Sequence, residues 1–152
     1  MSSWDKFVKR YVWDDTKTPY FVSVAKLTKV QAGYELFSYS LFLAVLFAVI
    51  SVASLSDQAP QGRSDVVSIY AFCVVCGAIV LAMTKNAAAA LVCASAPLAA
   101  LLYFVVKGFP PGLGAIDKWV LVGAALGLLA YSVRVVAMAK FYPNMPDTVA
   151  GE

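Results

Sequence analysis

Apolar positions in this chain run in long unbroken blocks, with no alternation that would give a helix one wet face. Four blocks stand out: Leu36 to Leu55, Val66 to Thr84, Ala87 to Val106 and Trp119 to Ala139. Each approaches the roughly 20 residues that a membrane-spanning helix needs. The pattern predicts an all-α integral membrane protein in which four transmembrane helices form a bundle. The links between blocks are short. Ser56 to Asp65 contains Pro60 and Gly62 and ends with Ser64 placed to cap the second span. Thr84-Lys85-Asn86 is so brief that spans two and three must form a tight antiparallel hairpin. Gly108 to Gly114 carries two prolines and is stiff and apolar, as expected of a loop lying on the membrane surface.

Residues 1–33 form the largest polar stretch and read as an amphipathic interfacial arm. Ser3 is placed to cap a helix in which Trp4, Phe7, Val8 and Tyr11 share one face, with Trp13 just beyond and Asp5, Lys6, Lys9 and Arg10 opposite. A turn over Trp13 to Thr18 then leads to Pro19, suited to a first helical position, and Tyr20, Val24 and Leu27 share a second face. Such an arm can lie on anionic lipid or dock a partner, since both draw on the same amphipathic physics. The expected organisation is an arm over 1–33, a four-helix domain over 34–142 and a tail over 143–152, with no internal repeat. No cleavable targeting peptide is expected, because the first apolar block begins more than thirty residues in.

Composition agrees with this placement: 61% of residues are hydrophobic and 14% charged, so a water-soluble fold would lack the polar surface to cover itself. The net charge of +3 comes from basic residues beside the spans, which points to topology and away from nucleic acid. Lys6, Lys9, Arg10, Lys17, Lys26, Lys29, Lys85, Arg134 and Lys140 fall on one side, and only Arg63, Lys107 and Lys118 on the other. By the positive-inside rule both termini are expected in the cytoplasm, and the Ala/Val/Leu-rich spans suggest a bacterial inner membrane.

Small residues predict where helices approach closely. Gly123 and Gly127 form a Gly-x-x-x-Gly pair, Ser40, Ala44 and Ala48 a row in the first span, and Ala90, Ala94 and Ala99 a thin face in the third, where Pro97 is expected to introduce a kink. These rows are expected to pack within the bundle, with partner contact as the alternative for Gly123 and Gly127.

Chemistry is sparse. Glu35 and Arg134 are the charged residues placed to meet near one interface, with Glu35 expected at the opening of the first helix, where the dipole favours an anion. No Asp or Glu falls between Glu35 and Asp57 or between Asp65 and Asp117, which counts against proton-coupled transport. Cys73-Val74-Val75-Cys76 with Cys93 in the next span resembles the thiol pair of four-helix disulfide-forming quinone reductases and vitamin K epoxide reductases. Those enzymes use a pair near the exterior face and shuttle cysteines in an exterior loop. Here Cys73 lies about 12 Å down the span, at 1.5 Å per residue, and the exterior links hold no cysteine. All three are therefore expected to be small buried hydrophobes, with Cys76 and Cys93 at similar depth. The chain has no histidine, so it offers no His-ligated haem, chlorophyll or metal site. No cofactor or metal is expected to be ligated, although the aromatics Tyr34, Phe37, Tyr39, Phe42 and Phe47 suit contact with lipid, quinone or pigment.

The functional expectation is a non-catalytic accessory or assembly subunit of a larger inner-membrane complex, an energy-transducing one among the candidates, with membrane lipids and that complex as partners. The alternatives are a small oligomeric transporter or channel component, and a thiol oxidoreductase using Cys73 and Cys76.

Overall fold

The computed structural model describes residues 23–59 and 62–147. The arm positions Trp4, Phe7, Val8, Tyr11, Trp13, Thr18, Pro19 and Tyr20 lie outside them, as do Pro60 and residues 148–152. Four helices, α1 (Lys29–Ala53), α2 (Asp65–Thr84), α3 (Ala87–Lys107) and α4 (Ala115–Phe141), account for most of the described chain, and no strand occurs among the described residues. All four are long and apolar enough to cross a membrane, which defines a multi-pass, all-α membrane protein.

The helix starts are set by local chemistry. Thr28 and Gln31 form a capping box: the Gln31 amide donates to Thr28 Oγ1 at 3.3 Å and the Thr28 amide to Gln31 Oε1 at 3.1 Å. Ser64 accepts from the Val67 amide at 3.4 Å, and Asn86 Oδ1 from the Ala88 amide at 2.8 Å. Lys85, between α2 and α3, adopts left-handed backbone with φ of 53°, so the chain reverses in two residues. Helix α3 runs on through Pro97, whose ring is buried.

The capping box also moves the first helix start. Polarity alone ends the arm at residue 33, yet α1 begins at Lys29, ahead of the apolar block. Val24–Lys26 form only a 3-10 turn, and Leu27 is fully buried in the core, where a second surface helix would have held it at the interface. The C-terminal end folds back onto this turn: the Lys29 amide donates to the Pro146 carbonyl at 2.9 Å, Lys29 Nζ pairs with Asp147 at 3.1 Å, and Met145 is buried.

Helices neighbouring in sequence pack side by side as two hairpins, α1 on α2 and α3 on α4, joined by the α2–α3 contact. Helices α1 and α4 share a much smaller interface. The solid core lies in the half of the bundle nearer the termini, where Leu36, Leu43, Leu81, Cys93, Val135 and Met138 are fully buried. Apolar side chains such as Val52, Val105 and Ile116 point outward along the whole length, as lipid-facing surface requires.

Candidate functional site

Each inter-helix seam except α3–α4 carries a hydroxyl pair. Ser51 Oγ donates to the Ser68 carbonyl at 3.0 Å while Ser68 Oγ donates to the Ser51 carbonyl at 2.8 Å, which stitches α1 to α2. Tyr70 and Ser95 meet at 2.8 Å between α2 and α3, and because Ser95 Oγ donates to the Val92 carbonyl, Tyr70 is the donor. Gly77 allows the same two helices to approach: a Cβ there would stand 2.8 Å from Val92 Cγ1.

The densest polar cluster joins α1 to α4. Arg134 donates to both oxygens of Glu35, from Nε to Oε1 at 2.8 Å and from Nη2 to Oε2 at 3.2 Å, and Tyr131 donates its hydroxyl to Oε1 at 2.8 Å. One turn deeper, Tyr39 and Ser132 lie 2.6 Å apart. Ser132 Oγ donates to the Leu128 carbonyl, so Tyr39 donates to Ser132. The Tyr39 and Tyr131 rings stand 5.7 Å apart at 49°, which ties the two polar layers together. Glu35 is 2% exposed and the Arg134 side chain 21%.

The depth of this cluster departs from the sequence reading. Glu35 does not open α1; it is the seventh residue of a helix that starts at Lys29, too far in for the terminal dipole to explain it. Glu35 and Arg134 both sit six residues from the midpoints of their helices, about 9 Å at 1.5 Å per residue. Hydrocarbon extends about 15 Å from the mid-plane, so a centred bundle holds the pair inside the apolar slab. The bidentate geometry and the tyrosine offset a desolvation that a lone carboxylate would not survive as an anion. Lys85 lies at the same end in the α2–α3 link, where burial lowers its pKa and its ammonium donates to the Ala82 carbonyl.

Other expected positions separate. Ser40 is buried and donates to the Leu36 carbonyl at 2.7 Å, Ala44 is half-buried and Ala48 points outward, because a row at spacing four drifts around the helix. Gly123 and Gly127 are exposed, and a Cβ at either would meet nothing within 4 Å, so this pair does not pack helices inside the bundle. The close approach instead uses Gly77, a lone glycine without a partner glycine to mark it.

The cysteines divide as well. Cys93 is buried, whereas Cys73 and Cys76 are exposed on the outer surface of α2, which corrects the expectation that all three are interior. Spacing three keeps Cys73 and Cys76 near one another on the exposed surface of α2, whereas Cys93 is buried. All three thiols are free. The aromatic run of α1 splits too, with Tyr39 and Phe47 inward and Tyr34, Phe37 and Phe42 outward. No group of three or more His, Cys, Asp or Glu residues is gathered among the described residues to hold a metal.

Sequence reading missed Tyr131 and Ser132 and placed Tyr39 in an aromatic wall for lipid, quinone or pigment contact, with no polar role. A signal was present: Tyr39 follows Glu35 by four and Tyr131 precedes Arg134 by three, so each hydroxyl shares a helix face with a charge.

Away from the termini the bundle is hollow. Two adjoining clefts of about 480 and 540 Å³ share Phe47, Ile50, Ala96, Ala100 and Phe104 as lining residues. One lies among α1, α2 and α3 beneath the first link; the other separates α1 from α4 and reaches Tyr131.

Fold and site together define a class: a small four-span helical membrane protein clasped at one end by a buried ion pair and hollow at the other. No known family, curated protein or solved structure matches the chain.

Proposed function

We propose that this chain is a non-catalytic accessory or assembly subunit of a larger protein complex in the bacterial inner membrane, with both termini in the cytoplasm. The observation that carries this reading is the exposure of Gly123 and Gly127 on α4, with Gly127 at the edge of the α1–α4 cleft. A glycine pair at spacing four makes a flat strip on which another helix can lie with backbones in close contact, and its own bundle leaves that strip uncovered. The Glu35–Arg134–Tyr131 cluster fits the same reading as a structural clasp, because its donors and acceptors are turned on one another across α1 and α4. The orientation rests on the nine basic residues placed at the termini and the α2–α3 link against three at the opposite end.

The test is purification of the tagged full-length chain in a gentle detergent, followed by native gel separation and mass spectrometry of what migrates with it. Stoichiometric co-migration with the subunits of one membrane complex is expected, and Gly123→Leu should reduce it while leaving the chain folded. Migration as a lone monomer or small homo-oligomer overturns the proposal.

A further inference from the structure

We propose that the hollow half of the bundle is a binding site for one acyl chain of a membrane phospholipid, entering sideways between α1 and α4. The site adjoins the glycine strip, since Gly127 borders the α1–α4 cleft, but its occupant is lipid and its filling is read at Ala100 and Ala124.

The walls fix the chemistry. Phe42, Leu46, Leu121, Ala124 and Leu128 line the α1–α4 cleft; hydroxyl-bearing residues are Ser54, Ser64, Tyr70 and Tyr103 in the half by the first link, where Tyr70 is bonded to Ser95, and Tyr131 at the deep end. An apolar cavity of this kind stays dry. At about 480 and 540 Å³ these clefts, which open sideways to the surrounding bilayer, fall in the range of small-molecule sites. The occupant is therefore hydrocarbon.

Length and depth select among hydrocarbons. On α1 the lining runs from Phe42 to Ser54, twelve residues or about 18 Å at 1.5 Å per residue. Phe42 lies beside the midpoint of α1 and Ser54 caps its end, so the hollow runs from the mid-plane to one interface. That is the depth of one leaflet, about 15 Å of hydrocarbon. An acyl chain anchored by its headgroup beside Ser54 and Ser64 would fill it and stop at the mid-plane, beneath Tyr131. A quinone head or pigment ring at the deep end would need polar partners, and the Tyr131 hydroxyl there is committed to Glu35. Small side chains keep the space open: Ala96 and Ala100 on α3 and Ala124 and Ala125 on α4 line the α1–α4 cleft, and Ala99 lines the other.

Native mass spectrometry of the full-length chain released from gentle detergent tests this directly. One retained phospholipid per chain is expected. Ala100→Phe and Ala124→Phe, which fill the hollow from opposite walls, should each lower the lipid-bound fraction several-fold, whereas the outward-facing Val49→Phe should not. Phe104→Trp reads occupancy without filling the space. Its emission, relative to the unsubstituted chain, should be quenched in vesicles of chain-brominated phosphatidylcholine and stay quenched after extraction into detergent. Absence of retained phospholipid, retention of an isoprenoid quinone in its place, equal lipid retention by both filled variants, or recovery of Phe104→Trp emission on extraction each overturns the proposal.

Discussion

Arg134 holds both carboxylate oxygens of Glu35, a residue 99 positions earlier in the chain, and with the Tyr39–Ser132 contact one turn deeper it joins the first and last helices at the end nearer the termini. A charged group at mid-membrane depth costs about 2.5–3.5 kcal/mol on insertion scales, so each ion is tolerable chiefly because the other is there. The pair acts as a clasp at one end of the molecule, and the hollow at the other end follows from the lack of any comparable contact there.

Breaking the clasp from one side leaves a buried charge. Glu35→Ala and Arg134→Ala should each destabilise the fold by about 3–5 kcal/mol, while the paired apolar replacement Glu35→Leu with Arg134→Met should come out near neutral. Reversible unfolding in mixed micelles, read by circular dichroism, checks this. Equal losses in the double and single variants would show that the ions do not act as a pair.

The hydroxyl contact one turn deeper is a smaller contributor. Tyr39→Phe should cost about 0.6 kcal/mol, the average for inter-helix hydrogen bonds in membranes, because the ring keeps its packing against Tyr131. The same unfolding measurement on Tyr39→Phe, Ser132→Ala and the double variant should give a coupling of that size.

Glycines on α2 and α4 should respond in opposite ways to added bulk. Gly77→Val drives a side chain into Val92 and should destabilise by about 1–3 kcal/mol. Gly123→Ala meets open space and should leave the isolated chain as stable or raise it by up to about 1 kcal/mol through helix propensity. A Gly123→Ala chain that melts much earlier would mean that its face is packed after all.

Thiol accessibility separates the cysteines. A membrane-permeant maleimide applied in detergent at raised pH, where the reactive thiolate forms, should modify Cys73 and Cys76 ahead of Cys93, as counted by intact mass. Cys73→Ser and Cys76→Ser should be tolerated, whereas Cys93→Ser puts a hydroxyl into the core and should cost about 1–3 kcal/mol unless it finds a partner. Modification of Cys93 as fast as the other two would contradict its burial.

The sequence by itself determined the four spans, their short links and the cap at Ser64, because twenty apolar residues and a serine before a helix act through local chemistry alone. It also marked Glu35 and Arg134 as the charges worth pairing. Only the tertiary structure decided which way each face turns. In a lipid-soluble helix every face is apolar, so periodicity no longer separates inside from outside. That is why Cys73 and Cys76 turned outward and Gly123 and Gly127 were left uncovered, while the close approach fell to Gly77. The clasp needed Tyr131 and Tyr39 brought across from helices a whole chain apart, and the hollow beneath it is a property of how four helices diverge, which no single helix carries in its sequence.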